Sequence, residues 1–163
     1  MLIQYRAIEF GDFTLASGQK SSYYVDIKQA VTNPKLLSVI GSVVAEQFNF
    51  DLIAGVAVGG VPLAVSVSLA SGKPYAIIRA TEKGHGKAAR VIGDVEGRRV
   101  LLIEDVTTSG GSALYGVEEL RRAGAVIDCV VTVFDREQGA ASYLADRGIE
   151  LIPLVRVSNL LKK

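Results

Sequence analysis

The chain has 163 residues, 49% of them apolar and 21% charged, and its formal net charge is +1. This length and composition are typical of an ordinary globular protein, and they favour one domain over residues 1–163. A net charge so close to zero gives no reason to expect nucleic acid or an anionic membrane as a partner, so any site for an anion must be local.

The sequence also limits the redox and targeting chemistry. The only cysteine, Cys129, lies in an apolar run, which favours a buried structural thiol over a nucleophile or a metal ligand. A disulfide within one chain is excluded. The first residues lack the basic start and long apolar centre of a signal peptide, and no apolar run approaches membrane-spanning length. We therefore expect a cytoplasmic protein.

The N-terminal segment 1–30 is predicted to be irregular and unlike the regular alternation that follows. An apolar alternation precedes a Ser-Gly turn at residues 17–18, and the stretch YYVDI after it has the composition of a strand. An edge hairpin with surface lysines and half-buried tyrosines is the simplest interpretation. Four side chains fall close together here: Lys20, Tyr23, Tyr24 and Lys28.

Between residues 33 and 78 the pattern predicts a scaffold of helices and strands. Residues 33–48 form a helix with one apolar stripe, 52–58 a buried strand, and 74–78 another strand. A glycine turn, Gly59-Gly60, leads from the first strand into a helix that Gly72 closes. Such a turn presents backbone N–H groups at the edge of the sheet where ligands bind.

Residues 79–99 have little apolar periodicity and are rich in glycine and basic side chains. A segment of this length without regular structure in a compact domain suggests a mobile functional lid or a disordered segment, and a solvated hairpin tip is the simpler alternative. Basic residues beside an acidic site would suit a polyanionic substrate. The basic residues at positions 79–90 are Arg79, Lys83, His85, Lys87 and Arg90.

The stretch VLLIEDVTTSGGSA at residues 100–113 organises the rest of the chain. Residues 100–103 are predicted to form a buried strand, with Glu104 and Asp105 where it ends. Adjacent strand residues point to opposite faces, so the two acids are expected to bracket a diol and not to chelate one metal ion. The small hydroxyls and glycines of residues 107–112, at the start of a helix near Ser112, would form a phosphate cradle. A Gly-rich turn with a solvated acid pair is the plainer interpretation.

The remaining residues continue the alternation. A helix ends at Gly124, a strand covers 126–134, a charged triplet follows at 135–137, and a helix at 140–147 and a strand at 151–155 complete the pattern. This predicts an α/β fold with a mainly parallel sheet flanked by helices. Neither G-x-x-x-x-G-K-[ST] nor G-x-G-x-x-G is present, so a P-loop or a dinucleotide site is not supported.

Four segments together resemble one family. Residues 100–113 closely resemble the 5-phosphoribosyl 1-diphosphate (PRPP) motif of the type I phosphoribosyltransferases. The segment F-x-L-x-S-G-x-x-S-x-Y-Y at 13–24 resembles the N-terminal hood of the orotate phosphoribosyltransferases, R-x-x-x-K-x-H at 79–85 their catalytic loop, and D-R-x-x-G at 135–139 their base-holding segment. The segments occur in the family's order over nearly the whole chain.

The resemblance implies an activity. An orotate phosphoribosyltransferase joins orotate to PRPP in pyrimidine biosynthesis, giving orotidine 5′-monophosphate and pyrophosphate, with Mg²⁺ bound mainly by substrate oxygens and no metal ligands from the protein. It also implies a homodimer whose catalytic loops complete the neighbouring sites. A phosphoribosyltransferase for another base and a PRPP-sensing regulator are the alternatives, although no helix-turn-helix or basic stripe is evident to contact nucleic acid.

Roles for individual residues follow from the same resemblance. The catalytic set is Glu104, Asp105, Lys83 and His85. The PRPP-binding set is Lys20, Arg79, Lys83, His85, Glu104, Asp105, Val106, Thr107, Thr108, Ser109, Gly110, Gly111 and Ser112. The orotate-binding set is Thr108, Arg136, Tyr23 and Tyr24. In this family the glycine turn contacts pyrophosphate, and bacterial-type enzymes have lysines where this chain has Ala80 and Gly60, so two diphosphate cations are missing.

Overall fold

The computed structural model describes residues 2–14, 18, 20–80 and 90–161. The strands are β1 (Ile8–Thr14), β2 (Lys20–Val25), β3 (Leu52–Val56), β4 (Tyr75–Ile78), β5 (Val91–Ile92), β6 (Val100–Thr107), β7 (Cys129–Asp135) and β8 (Glu150–Arg156). The helices are α1 (Ile27–Ala30), α2 (Pro34–Gln47), α3 (Gly60–Ser71), α4 (Gly111–Arg122), α5 (Ala140–Ala145) and α6 (Val157–Leu161). Within these ranges, no helix has the length and apolar character needed to cross a membrane.

The strands from β3 onward form one sheet in the order β5-β4-β3-β6-β7-β8. The strands β4, β3, β6, β7 and β8 pair in parallel, whereas the two-residue β5 lies antiparallel to β4 at the edge. The central strands are largely apolar because both of their faces are covered. This arrangement confirms the predicted α/β fold with a mainly parallel sheet flanked by helices.

The side chains of β6 alternate between two cores, one on each face of the sheet. Leu101 and Ile103 belong to the core that α2 and α3 build with the N-terminal segment. Leu102 belongs to the second core, which contains Val117 of α4 and Leu144 of α5. Because neighbouring strand residues point to opposite faces, the two acids that follow Ile103 are directed to different sides of the sheet.

The strand order reverses between β3 and β6, and this reversal positions the candidate site. The chain leaves β3 through α3 to reach β4 on one side, and it later returns as β6 on the other side of β3. In an open parallel sheet, ligands bind in the crevice outside the carboxyl ends of the strands at such a switch point. The turn after β3 and the loop after β6 both open there.

The N-terminal segment is more regular than predicted. β1 and β2 pair as an antiparallel hairpin. The predicted strand YYVDI stops at Val25, because the Asp26 side chain accepts a hydrogen bond from Gln29 N at 2.9 Å and caps α1. The buried side chain of Ile27 joins this segment to the core on the α2 and α3 side. The hairpin and α1 therefore approach the same face of the sheet as Asp105.

The segment 79–99, predicted to be irregular, contains regular and buried structure toward its C-terminal end. Residues 91–92 form β5, and Val95 is buried in the core beside α4. A two-residue strand carries too little periodicity to be recognised in a sequence. Residues 81–89, which include the predicted Lys83 and His85, lie outside the described part of the chain.

Candidate active site

The two acids lie inside β6 and not at its end, so the predicted strand boundary was wrong. β6 continues to Thr107 because its pairing with β7 extends through the register Thr107 to Asp135. Glu104 is 4% exposed and Asp105 is 6% exposed, so the plainer interpretation of a solvated acid pair is also wrong. Two carboxyl groups are thus buried at the switch point, where each requires a compensating partner.

Glu104 faces α4 and holds the start of that helix. Ser112 Oγ donates a hydrogen bond to Glu104 Oε1 at 2.8 Å. Burial raises the pKa of the Glu104 carboxyl to about 7, with a smaller upward effect from Asp105, while the Ser112 bond and the Lys28 charge oppose the rise. Near neutral pH the Glu104 carboxyl is therefore protonated in some molecules, where it can donate a hydrogen bond, and ionised in the others, where it can only accept.

Asp105 faces the other side of the sheet, between α1 and the glycine turn. Lys28 Nζ lies 3.2 Å from Asp105 Oδ2, and 61% of the Lys28 side chain is exposed. A Cβ added at Gly59 would lie 2.6 Å from the Asp105 carboxylate, so the turn packs directly against this acid. The sequence grouped Lys28 with the hood side chains but did not assign it to the site, because nothing in the chain order connects it with Asp105.

The glycine turn has no space for side chains. β3 ends at Val56, two residues before the predicted end of this strand at residue 58, and α3 begins at Gly60. A Cβ at Gly60 would lie 2.7 Å from the carbonyl oxygen of Ile103 and 2.9 Å from Gly55 Cα. These neighbours are backbone atoms of β6 and β3, which cannot move aside easily. With this backbone path, a side chain at position 60 would collide with the backbone of β6 and β3 unless one of them shifted.

The loop after β6 forms a small cavity at the N-terminus of α4. The cavity has a volume of about 100 Å³ and is lined by Glu104 and residues 106–113. Thr108 and Ser109 are exposed, and Gly110 has φ 86°, which favours glycine. The backbone N–H groups at a helix N-terminus favour an anion, so this geometry agrees with the predicted phosphate cradle.

The segment after β7 is bound to this loop through its backbone. Arg136 N donates to Thr107 O at 3.0 Å, and Ala140 N donates to Thr108 O at 3.1 Å. The Thr107 hydroxyl also donates to Asp135 Oδ1 at 3.0 Å. The loop and the D-R-x-x-G segment are therefore one connected unit, although α4 and β7 separate them in the sequence.

Arg136 and Tyr23 meet across the hood and the sheet. Arg136 Cζ lies 5.5 Å from the centroid of the Tyr23 ring, a cation–π distance. Among the described residues, the buried Nε of Arg136 has no hydrogen-bond acceptor. A buried charged donor in this state marks a place where an acceptor is expected to bind.

The other predicted hood residues lie on the opposite face of β2, since strand side chains alternate. The Tyr24 ring centroid lies 5.6 Å from that of Phe13, and Lys20 Nζ donates to Thr14 Oγ1 at 2.9 Å. Of the two predicted tyrosines, the structure thus brings Tyr23 to Arg136. Contacts of Lys20 with PRPP and of Tyr24 with orotate stay predictions.

Both flanks of the segment 81–89 are attached to α4. Tyr115 Oη donates to the carbonyl oxygen of Arg79 at 2.7 Å, and Arg79 N donates to Arg90 O at 2.9 Å. Arg90 Nη1 lies 3.0 Å from Oε1 of the buried Glu119. Arg79 is thereby held beside the helix that begins at the predicted phosphate cradle, while the exposed Ala80 supplies no charge.

Cys129 lies outside this site, and its thiol is not activated. Cys129 is half-buried, not fully buried as predicted, and burial with nearby Glu150 and Asp128 raises the pKa of its thiol to about 11. It is therefore protonated at neutral pH and a poor nucleophile. In the described ranges, no three His, Cys, Asp or Glu side chains are grouped so that they could hold a metal ion.

Comparisons with known proteins agree with this geometry. Residues 28–157 match the family model described as a phosphoribosyl transferase domain. The orotate phosphoribosyltransferase of Methanocorpusculum labreanum is 66% identical over 161 residues, which cover 99% of this chain and 95% of that protein. The crystal structure of the Aeropyrum pernix orotate phosphoribosyltransferase aligns with a TM-score of 0.85 at 32% identity, covering 99% of this chain and 94% of the other.

A liganded structure is also similar. The Mycobacterium tuberculosis orotate phosphoribosyltransferase in complex with PRPP aligns with a TM-score of 0.74 at 29% identity, over 84% of this chain and 82% of that one. Each of the three alignments with a named protein covers at least 82% of both chains, and each of these proteins is named an orotate phosphoribosyltransferase. The chain therefore belongs to the phosphoribosyl transferase family and, within it, to the orotate phosphoribosyltransferases.

Proposed function

We propose that this chain transfers the 5-phosphoribosyl group of PRPP to orotate, forming orotidine 5′-monophosphate and pyrophosphate. The observation that carries the proposal is Arg136, a guanidinium with a buried Nε that lies over Tyr23 and is bound through its backbone to the phosphate loop. A planar, anionic base can accept directed hydrogen bonds from this group and contact the tyrosine ring. The exposed Thr108 hydroxyl would complete the orotate site.

The reaction needs no nucleophile from the protein, because N1 of orotate attacks C1′ of the ribose as pyrophosphate leaves. Catalysis is then positioning and charge stabilisation. Glu104 and Asp105 would accept hydrogen bonds from the two ribose hydroxyls and face the positive charge that grows on the ribose. The hydroxyls of Thr108 and Ser109 and the N-terminus of α4 would hold the 5-phosphate.

The strand order supports this arrangement of donor and acceptor. Arg136 follows β7 and the glycine turn follows β3, and these strands flank β6 on opposite sides. A base held near Arg136 and a diphosphate held near Gly59 would therefore lie on opposite sides of a ribose bound at Glu104 and Asp105. Displacement at C1′ requires this geometry, since the nucleophile approaches opposite the leaving group.

Mg²⁺ is part of the proposal as an ion held mainly by diphosphate and ribose oxygens, where it would neutralise charge on the leaving pyrophosphate. The two acids near the proposed ribose position are consistent with an ion that is held mainly by the substrate. Glu104 is bonded to Ser112 and Asp105 is paired with Lys28, on opposite faces of β6, so the two acids do not make a cage for a metal by themselves.

Arg79, Lys83 and His85 would close over the diphosphate, and we propose a cytoplasmic homodimer in which Lys83 and His85 act in the neighbouring site. The family resemblance supports this, while Lys83 and His85 lie outside the described residues. Mixing inactive Lys83→Ala and Asp105→Asn subunits should restore activity, because each heterodimer carries one intact site. Verified heterodimers without recovery would show that the loop acts within its own subunit.

The choice of base is tested by Arg136→Leu. A charge-assisted hydrogen bond contributes about 1.5–3 kcal/mol, so kcat/KM for orotate should fall about ten- to a hundredfold while PRPP binding, measured by calorimetry, stays nearly intact. Arg147→Leu is the matched control, since Arg147 Cζ lies 4.0 Å from the Tyr143 ring centroid on an exposed surface.

Two outcomes would contradict the proposal. The unmodified protein could use uracil in preference to orotate when pyrophosphate release is measured with a panel of bases. Alternatively, Arg136→Leu could weaken PRPP binding and leave orotate use unchanged. Either result would remove Arg136 from the base site.

A further inference from the structure

The glycine turn carries no cationic side chain for the diphosphate that it is proposed to bind. If it receives the diphosphate, as proposed above, that group brings several negative charges to a turn where side chains have no space, as the short Cβ distances at Gly59 and Gly60 show. The nearest acid, Asp105, adds a further negative charge at the same place. In addition to Mg²⁺ and the basic residues Arg79, Lys83 and His85, a cation that reaches both the turn and Asp105 is therefore expected on a neighbouring element.

Lys28 meets this requirement. Its Nζ lies 3.2 Å from Asp105 Oδ2, and Gly59 packs against the same carboxylate, so the lysine and the turn converge on one group. The side chain is 61% exposed on α1; Gln29 N donates the capping hydrogen bond to Asp26, and the buried Ile27 holds this short helix against the core beside β6. An ammonium carries three N–H donors on a flexible stem, so a pair with one carboxylate leaves it able to contact a second anion.

We infer that Lys28 is a diphosphate-binding residue of this enzyme and replaces, from α1, the lysine that this glycine turn lacks. Before the donor binds, Lys28 neutralises Asp105. When the diphosphate occupies the turn, Lys28 bridges it to Asp105, which leaves the other carboxylate oxygen to accept from the ribose. This inference rests on the proposed placement of PRPP, and it adds a residue to which no role had been assigned.

The test measures separately how the protein binds the diphosphate part and the ribose 5-phosphate part of PRPP. Calorimetric titrations with pyrophosphate in the presence of Mg²⁺, and separately with ribose 5-phosphate, are carried out on the unmodified protein and on Lys28→Met and Lys28→Arg. Lys35→Met, which changes an exposed lysine at the start of α2, is the control. Lys28→Met should weaken pyrophosphate binding about tenfold, as expected for the loss of one charge-assisted hydrogen bond. Ribose 5-phosphate should bind as before, and Lys28→Arg should retain most of the pyrophosphate affinity.

Two results would overturn the inference. Unchanged pyrophosphate affinity in Lys28→Met would remove the lysine from the site. An equal loss for both ligands would show that Lys28 acts only through the structure around Asp105. The proposed function is judged separately, by turnover of PRPP and orotate in the unmodified protein, so a failed Lys28 test with normal turnover leaves that function standing.

Discussion

The turn after β3 and the loop after β6 open at the same crevice but are constructed differently. The loop after β6 carries exposed hydroxyls at Thr108 and Ser109, and Glu104 anchors it through Ser112. The turn after β3 offers no polar side chain, and a Cβ at Gly59 would meet the Asp105 carboxylate at 2.6 Å. The comparison shows that a loop with space supplies its own donors, whereas a tight turn depends on side chains from elsewhere.

Glu104 and Asp105 are associated with different members of this pair, one with the loop after β6 and the other with the turn after β3. Glu104 belongs to the loop side, and its burial raises its pKa to about 7. Asp105 belongs to the turn side, where Lys28 provides a counter-charge. One acid is thus positioned by a neutral hydroxyl and the other by a cation, although they are adjacent in sequence. Substitutions on each side should therefore have different consequences.

The largest effect is expected on the turn side, from Asp105→Asn. This change keeps the shape but removes a charge that, in the proposed mechanism, faces the developing ribosyl cation, so kcat should fall about a hundredfold or more, and PRPP binding should weaken less. Steady-state kinetics and calorimetry give the two values. Asp94→Asn is the control, because Asp94 forms an exposed pair with Arg98 at 3.0 Å. An unchanged kcat would remove Asp105 from the mechanism.

The second prediction concerns the loop side and pH. Glu104 has a pKa of about 7 in the folded protein against 4.5 as the ordinary value. The folded state therefore holds a proton that the unfolded state has lost between these pH values, and the free energy of unfolding should fall as pH rises from about 4.5 to about 7. At about 1.4 kcal/mol per pKa unit, the contribution is about 3 kcal/mol at most.

Chemical denaturation at pH 5 and pH 8 measures this effect. Glu104→Gln should reduce the difference in unfolding free energy between the two pH values, because the neutral amide does not titrate. Glu46→Gln, an exposed change on α2, should leave the difference as it is in the unmodified protein. A Glu104→Gln variant with the full pH dependence would mean that other groups cause it.

The smallest expected effect tests the claim that the glycine turn has no space. Gly60→Ala places a methyl group 2.7 Å from the Ile103 carbonyl oxygen, and it should lower the free energy of unfolding by about 1–3 kcal/mol. Gly111→Ala is the matched control at the start of α4, because its added Cβ has no described heavy atom within 4 Å beyond its chain neighbours and the backbone of its own helix. Equal unfolding midpoints in urea for both variants would contradict the comparison.

The regular part of the fold was predictable because its signals are local. Continuous apolar runs indicated the buried parallel strands, and the stretch at 100–113 indicated a strand, two acids and a turn that opens a helix near Ser112, which begins at Gly111. The two-residue β5 and the five-residue α6 were missed, since elements so short carry too little periodicity. The prediction that Arg136 binds orotate came from its D-R-x-x-G motif alone.

Contacts between distant segments required the tertiary structure. The sequence by itself determined the α/β alternation, the presence of two adjacent acids before a phosphate loop, and their opposite directions, because these depend on the alternation of a single strand. Only the folded chain decided that Lys28 reaches Asp105, that Gly59 packs against the same carboxylate, and that Tyr23 faces Arg136. The physical reason is that strand order and the packing of α1 on the sheet bring these residues together, and neither leaves a mark in the local pattern.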